Sequence, residues 1–507
     1  MRPQRARFFG SPLAMRVLAL VVLAVPLLTA CAHAGARLPS QPPYDVVLVG
    51  GRVIDPESGL DAVRTVAVQN GRIVAVTEAA VAGLDTLDAR GLVVSPGFID
   101  LHSHVQDSAG YVAVVRGGTT TALELEEGTA DVDGWYTARA GRTALHHGVA
   151  IGHAAVRARV LGDSAGARGA APTGDAAHRA ATDDEIAAIR TGIDDGLRRG
   201  AVAVGLLLGY TPGARPWEVF ELFRAAAAHG ATVHAHVREL EERYWYLEVS
   251  ELVGAAAATG AAAHLVHINS SMQEDAPRTL DLLRGARLRG VDVTTEAYPY
   301  ATAMTGIESA MFTGWEEWPD AKFGRYEWLA TGERLTRTSF ARYRLMGGNV
   351  AIHPKDSANG EAWVRAALAD TLTMIASDGI LYRGHGHPRA VGSPARVLGR
   401  YVRDAKTLTL TDAIRRMTLM PAQRLEGRVP AMRRKGRVQV GMDADLVVFD
   451  AATVRDEGSF RDAARPPAGI PYVLVAGVVV VRRGALVTNQ LPGQPVRGPT
   501  EGPVRTP

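Results

Sequence analysis

The chain has 507 residues, a formal net charge of +3, 47% hydrophobic residues and one cysteine. The hydrophobic fraction excludes wholesale disorder, and the lone cysteine excludes an internal disulfide and every zinc site built on two thiolates. The basic excess is N-terminal: residues 1–30 hold four arginines and no acid, so +3 less +4 leaves −1 for the remainder, and no basic run with interleaved aromatics points to nucleic acid.

In chain order, Arg2, Arg5, Arg7 and Arg16 lead into Val17–Thr29, an apolar run of 13 residues. That is a signal-peptide length and too short to span a bilayer. Leu28-Thr29-Ala30-Cys31 follows and resembles a bacterial lipobox, whose cysteine is lipidated. Residues 1–30 are therefore expected to be a lipoprotein signal peptide and Cys31 the attachment point. Residues 31–43, with Pro39, Pro42 and Pro43, form a tether. The mature protein is expected outside the cytoplasm, held to a membrane only by that lipid.

Residues 44–97 and 431–490 share short runs of branched residues between turn signals, such as Val46–Val49 and Ala444–Phe449. They are expected to pair into one small β-sandwich built from both chain ends. Between them, 98–430 alternates buried strands with amphipathic helices. In the clearest unit, Thr182 and Glu185 have capping-box spacing, Ile186, Ile189, Ile193 and Leu197 recur at helical period, and Gly200 precedes the apolar strand Val202–Leu208. Repeated units over this length predict an α/β fold, a closed (β/α)8 TIM-like barrel. The rival doubly wound sheet lacks a G-x-G-x-x-G after any strand. Residues 306–350 break the rhythm and carry Trp315, Trp318 and Trp328, either as an aromatic lid or as a packed insertion. Residues 491–507, with five prolines, are expected to be a disordered tail.

The chemistry concentrates at strand ends. Pro96-Gly97-Phe98-Ile99-Asp100-Leu101-His102-Ser103-His104 runs an apolar strand into two histidines two residues apart, which share a strand face. His236, His267 and Asp378 end later apolar strands. At the C-terminal ends of barrel strands these residues converge on one mouth, as a cluster suited to zinc.

The segments PGFIDLHSH (96–104), AHVRE (235–239), TEAYPYATA (295–303), TMIASDG (373–379) and HPRAVGSPARVLGRYVR (387–403) resemble the amidohydrolase superfamily, and within it the N-acyl-D-amino acid deacylases. The resemblance spans about residues 44–487. It implies amide hydrolysis by metal-activated water, with one or two divalent ions, zinc by expectation. His102, His104, His236 and His267 would be ligands and Asp378 the proton carrier. It also implies that Arg389 and Tyr298 hold a substrate carboxylate, so the expected partner is a small molecule.

Two departures stand out. The four lysines, Lys322, Lys355, Lys406 and Lys435, all lie away from Val202–Leu208, the expected fourth strand, which excludes the carbamylated-lysine bridge of hydantoinases and dihydroorotases. The second-strand cysteine of the deacylases is also missing. Thr119–Gly128 offers Glu124, Glu126 and Glu127 instead. Glu126, nearer the strand end than Glu124, is the favoured ligand, while ungapped counting from Gly128 selects Glu127. A carboxylate is harder than a thiolate and shifts metal preference away from zinc. The family's lysine two residues after the sixth-strand histidine is Asn269 here, and Arg238 is a substitute unless it pairs with Glu239 or Glu242. Other readings are a dipeptidase, a cyclic-amide or lactone hydrolase, and a surface binding lipoprotein on an inactive barrel.

Overall fold

In the computed structural model, which describes residues 43–105, 107–163, 171–238 and 245–501, the two chain ends meet in one sheet. Strand Val93–Pro96 pairs antiparallel with Leu446–Phe449, in register Leu446 to Pro96. Five strands from the N-terminal side and four from the C-terminal side thus make a single nine-stranded sheet. It folds over its own core of Val46, Leu48, Val66, Val68, Leu446, Val448 and Leu474. Its far hairpins touch: a Cβ on Gly477 would lie 2.8 Å from Gly71 Cα, and both glycines have positive φ. A side chain at either position would push the two layers apart.

Eight parallel strands form the barrel: Phe98–Asp100, Thr119–Thr129, His146–Gly152, Val204–Leu207, Thr232–His236, Ala262–Leu265, Val293–Ala297 and Thr373–Ile375. Side-chain chemistry helps close the seam between the first and last. Asp100 accepts hydrogen bonds from Ser377 N at 3.0 Å and Ser377 Oγ at 2.5 Å, and His104 N donates to Gly379 O at 3.0 Å. The unit anticipated around residue 190 is present. Thr182 and Glu185 form a reciprocal capping box, Ile186, Ile189, Ile193 and Leu197 are buried, and Gly200 turns the chain with φ 88° into the fourth strand. Among the described residues no helix is long and apolar enough to cross a membrane.

The segment 303–352 builds its own four-stranded antiparallel sheet. Trp328 stacks on Tyr343 with ring centroids 4.3 Å apart, and Trp318 on Tyr326 at 5.5 Å. Phe312, Phe323 and Phe340 complete a separate apolar cluster. The tryptophans therefore serve the packed insertion, not an aromatic wall over the mouth.

The tail departs from expectation. Over residues 491–501 it is an ordered strap: Gly493 N donates to Thr143 O at 2.9 Å, Val496 N to His147 O at 2.7 Å and Gly498 N to Gly200 O at 3.0 Å. Val496 is buried with Leu123, Ala150 and Val202. Proline costs nothing where the backbone is extended and bonded through its other residues. One well-placed valine anchors a segment whose average composition reads as disordered. Residues 502–507, and the expected signal peptide, Cys31 and tether up to residue 42, lie outside the described residues.

Candidate metal centre

The end of the first barrel strand presents His102 and His104, with the two Nε2 atoms 3.0 Å apart. Their Nδ1 atoms face carboxylates: His102 Nδ1 is 2.6 Å from Glu296 Oε1, and His104 Nδ1 is 2.7 Å from Glu124 Oε2. In the metal-binding form each Nδ1 proton is donated to a carboxylate, and the neutral rings turn bare lone pairs toward one another. A cation between them relieves that repulsion.

Glu126 Oε2 lies 3.1 Å from His102 Nε2 and 3.2 Å from His104 Nε2, and Asp378 Oδ1 is 3.5 and 3.4 Å from the same two nitrogens. His102, His104 and Glu126 thus bring three donors of the kinds zinc takes within ligand reach of one point, with Asp378 beside them. The other oxygen of Glu126 serves a second group. Oε1 is 3.0 Å from His236 Nδ1 and 3.1 Å from His267 Nε2, which are 3.0 Å from one another. Glu126 thus stands between two donor sets, where a shared ligand belongs. Glu124 is behind His104, and Glu127, whose side chain is 31% exposed, lies 3.7 Å from His104 Nδ1. The donors present fit one or two divalent ions.

The electrostatics also call for a cation. Burial opposes protonation of His102, but Glu126, Asp378 and Glu296 outweigh it and hold its pKa well above the ordinary histidine value. Burial and the nearby Glu124 push Glu127 up to about 8. Burial would raise Asp378, yet the Arg389 guanidinium and His102 hold it down at about 2. His267 and Asp378 both have left-handed backbone, φ 33° and 49°, which aims their side chains across the mouth at the expense of local strain.

The residues expected to hold a substrate carboxylate stand beside Asp378, with the Tyr298 hydroxyl and Arg389 Nε and Nη1 buried and without a hydrogen-bond partner among the described residues. Arg389 is fully buried, its Nη2 2.7 Å from Asp378 Oδ2 and its guanidinium 4.3 Å over the Tyr298 ring, and His387 Nδ1 accepts its backbone N–H at 3.0 Å. Asn269 ties neighbouring loops together: its Oδ1 accepts from Tyr298 N at 3.2 Å and its Nδ2 donates to Tyr300 O at 3.4 Å. Arg238 is clamped by Glu251 at 2.6 and 2.7 Å, while Glu239 and Glu242 lie outside the described residues.

A cavity of about 140 Å³ opens over the centre, lined by His104, Glu126, His236, His267 and Asp378 together with Met311, Arg325 and His353 from the inserted sheet and Trp363 beyond it. A larger hollow of about 680 Å³ sits among the N-terminal ends of the fifth to eighth strands and holds none of the donors. In such barrels chemistry belongs to the C-terminal mouth, so size is no guide here.

Sequence reasoning gave no role to Glu296, His264 or Ser271. Glu296 links His102 to His264, whose Nε2 is 3.1 Å from Glu296 Oε2, and His267 Nδ1 is 2.9 Å from Ser271 Oγ. The signal was present: Glu296 is a carboxylate in a buried strand, where a charge needs a partner.

Residues 85–481 match the family described as the amidohydrolase family. An N-acyl-D-glutamate deacylase of Alcaligenes xylosoxydans xylosoxydans is 32% identical over 483 residues, covering 87% of this chain and 94% of that protein. Among solved structures, an N-acyl-D-glutamate deacylase from Bordetella bronchiseptica, complexed with zinc and a phosphonate mimic of the tetrahedral intermediate, superposes with a TM-score of 0.77 at 26% identity, covering 90% of this chain and all of the other. A D-aminoacylase described by its binuclear metal centre gives 0.75 at 26% identity with the same coverage.

Proposed function

The chain belongs to the amidohydrolase family, and from that premise we propose that it removes the acyl group from N-acyl-D-amino acids, with His102, His104, Glu126, His236 and His267 as the residues that would hold one or two divalent ions. The observation that carries the reading is the shared carboxylate: one oxygen of Glu126 faces His102 and His104, the other His236 and His267. Relatives whose names specify D-amino acid deacylation supply the substrate class, and the zinc in the Bordetella structure supports zinc as the metal.

When bound, a divalent ion supplies a water of lowered pKa and a Lewis acid for the scissile carbonyl. The chain's own residues do the rest. Asp378, charged at neutral pH beside Arg389, accepts the water's proton and delivers it to the departing amine nitrogen. Arg389 keeps Asp378 ionised and oriented. Glu124 and Glu296 hold the tautomers of His104 and His102. The buried walls limit access of bulk water.

The test is a panel of N-acetyl-D- and L-amino acids and dipeptides, read by amine release, with metal content measured in parallel. Selective turnover of the D series with one to two ions per chain is expected. Asp378→Asn should keep metal and lose at least about 100-fold in kcat; undiminished turnover by that variant would reject its role. We further propose, from the Arg-rich leader and the Leu-Thr-Ala-Cys sequence, that the protein is an exported lipoprotein attached through Cys31. Globomycin should then accumulate the precursor in cells, and unaltered processing would refute the anchor.

A further inference from the structure

The hollow of about 680 Å³ at the foot of the barrel, away from the metal centre, has an unbalanced wall. Four guanidinium groups line it, Arg287, Arg415, Arg424 and Arg428, against one carboxylate, Asp292, so four less one leaves +3. Three helices and a turn put them there. Arg287 lies in the last turn of helix Ala276–Leu288, Arg415 in that of Leu410–Met417 and Arg424 in that of Leu419–Leu425, with Arg428 just beyond. Asp292 precedes the seventh barrel strand, Val293–Ala297. The helix dipole favours a cation in a last turn. It does not require that three such turns open on one recess.

Among the described residues the pair of Arg424 with Asp292 is the only ion pair these four arginines make. Arg424 Nη1 and Nη2 lie 2.6 and 2.8 Å from the two oxygens of Asp292. Its Nε, on a side chain only 7% exposed, is buried without a hydrogen-bond partner among the described residues. Arg428 is also buried and gives its protons to the backbone: Nη1 to His229 O at 2.6 Å, Nη2 to Leu197 O at 2.8 Å and Nε to Ala201 O at 3.1 Å. Those carbonyls satisfy its donors but do not cancel its charge. Burial lowers its pKa to about 10, which leaves it a cation at neutral pH. Arg287 Nη1 donates to Val293 O at 2.8 Å, and Arg415 Nη1 to Met420 Sδ at 3.1 Å, a weak acceptor. Positive charge held at a recess without a counter-charge is costly. A doubly charged tetrahedral oxyanion offsets it and offers acceptors in several directions, where a carboxylate offers a single plane and one charge.

We propose that this hollow is a binding site for a phosphate group carried by a small molecule in solution, separate from the metal centre. The two most buried guanidiniums, those of Arg424 and Arg428, form its inner wall, and Arg287 and Arg415 supply the charge that the protein leaves unmatched.

Isothermal titration of the metal-loaded full chain with inorganic phosphate tests this, with acetate as the carboxylate control. Phosphate should bind, and acetate at least ~10-fold more weakly because it carries less charge. Arg287→Gln combined with Arg415→Gln leaves the Arg424–Asp292 pair intact and should weaken phosphate binding ~10- to 100-fold. The corresponding lysine replacements should restore part of it. Metal content equal to the wild type's confirms that each variant is folded. Phosphate can also meet ions at the mouth, and hydrogen–deuterium exchange of the wild type tells the two positions apart whether or not the variants fold. Protection of amides over residues 287–294 and 424–428 is expected. Protection confined to the mouth, around residues 102–104 and 378, would overturn the inference. So would unchanged affinity in the metal-loaded double glutamine variant, acetate binding as tightly as phosphate, or no binding up to ~10 mM phosphate.

Discussion

Glu296 is fully buried and makes two contacts that decide how the centre is built: Oε1 to His102 Nδ1 at 2.6 Å and Oε2 to His264 Nε2 at 3.1 Å. Burial would neutralise it, but the His102 ring outweighs burial and holds its pKa well below the ordinary carboxylate value. The charge it keeps is what turns the His102 Nε2 lone pair toward the metal position. Glu296→Gln preserves shape but replaces that acceptor with a neutral amide. We expect metal affinity to fall about 10- to 100-fold, measured by chelator competition, with the circular dichroism spectrum unchanged. Unaltered affinity would make Glu296 a structural partner only. Glu124 plays the same part for His104, which is why a carboxylate on the second strand need not be a ligand. Period two placed Glu124 and Glu126 on one face, and only the register irregularity after Glu124 separates their tasks.

At the scale of elements, the strap of residues 491–501 is the least expected piece. Its Val496 is 1% exposed, its backbone extends the edge beside His147, and Tyr136 Oη donates to Val496 O at 2.6 Å. Val496→Ala should cost about 1.5 kcal/mol of stability, from the apolar surface no longer buried. Truncation after residue 490 should cost more, and thermal unfolding of the metal-loaded protein reads both; a truncated chain as stable as the full one would reduce the strap to decoration. The sequence concealed it because prolines and glycines dominate its composition, while the docking depends on partners more than 290 residues away, such as Gly200 O. Local signals behaved differently. The capping box at Thr182 and the paired histidines at 102 and 104 were legible because helix period, strand period and cap chemistry act within a few residues. The pairing of Arg389 with Asp378, and the projection of Arg325 into the cavity, are set by loops and by an inserted sheet, and no short pattern encodes them.

For the whole molecule, the barrel carries opposite loads at its two ends. The mouth concentrates carboxylates that need metal ions, while near the other end the buried ring of His147 must stay neutral. His147 lies under the strap. Its Nδ1 is 3.0 Å from Thr143 Oγ1, and its carbonyl oxygen accepts the Val496 N–H. Burial lowers its pKa to about 4, with Arg139 adding to the effect. In the unfolded chain the ring titrates near its usual value of about 6.5. Between those values the unfolded chain binds a proton that the folded chain does not, so stability rises with pH across this window. The contribution is fully present above about pH 6.5 and is lost as pH falls through about 4. Urea unfolding of the full chain at pH 7.5, 6 and 4.5 should therefore show a declining midpoint. His147→Gln, which cannot take the proton, should flatten that decline relative to the wild type. A parallel decline in both proteins would show that acid sensitivity comes from the metal centre at the mouth and not from the strap, because loss of ligand binding at low pH would act on the variant and the wild type alike.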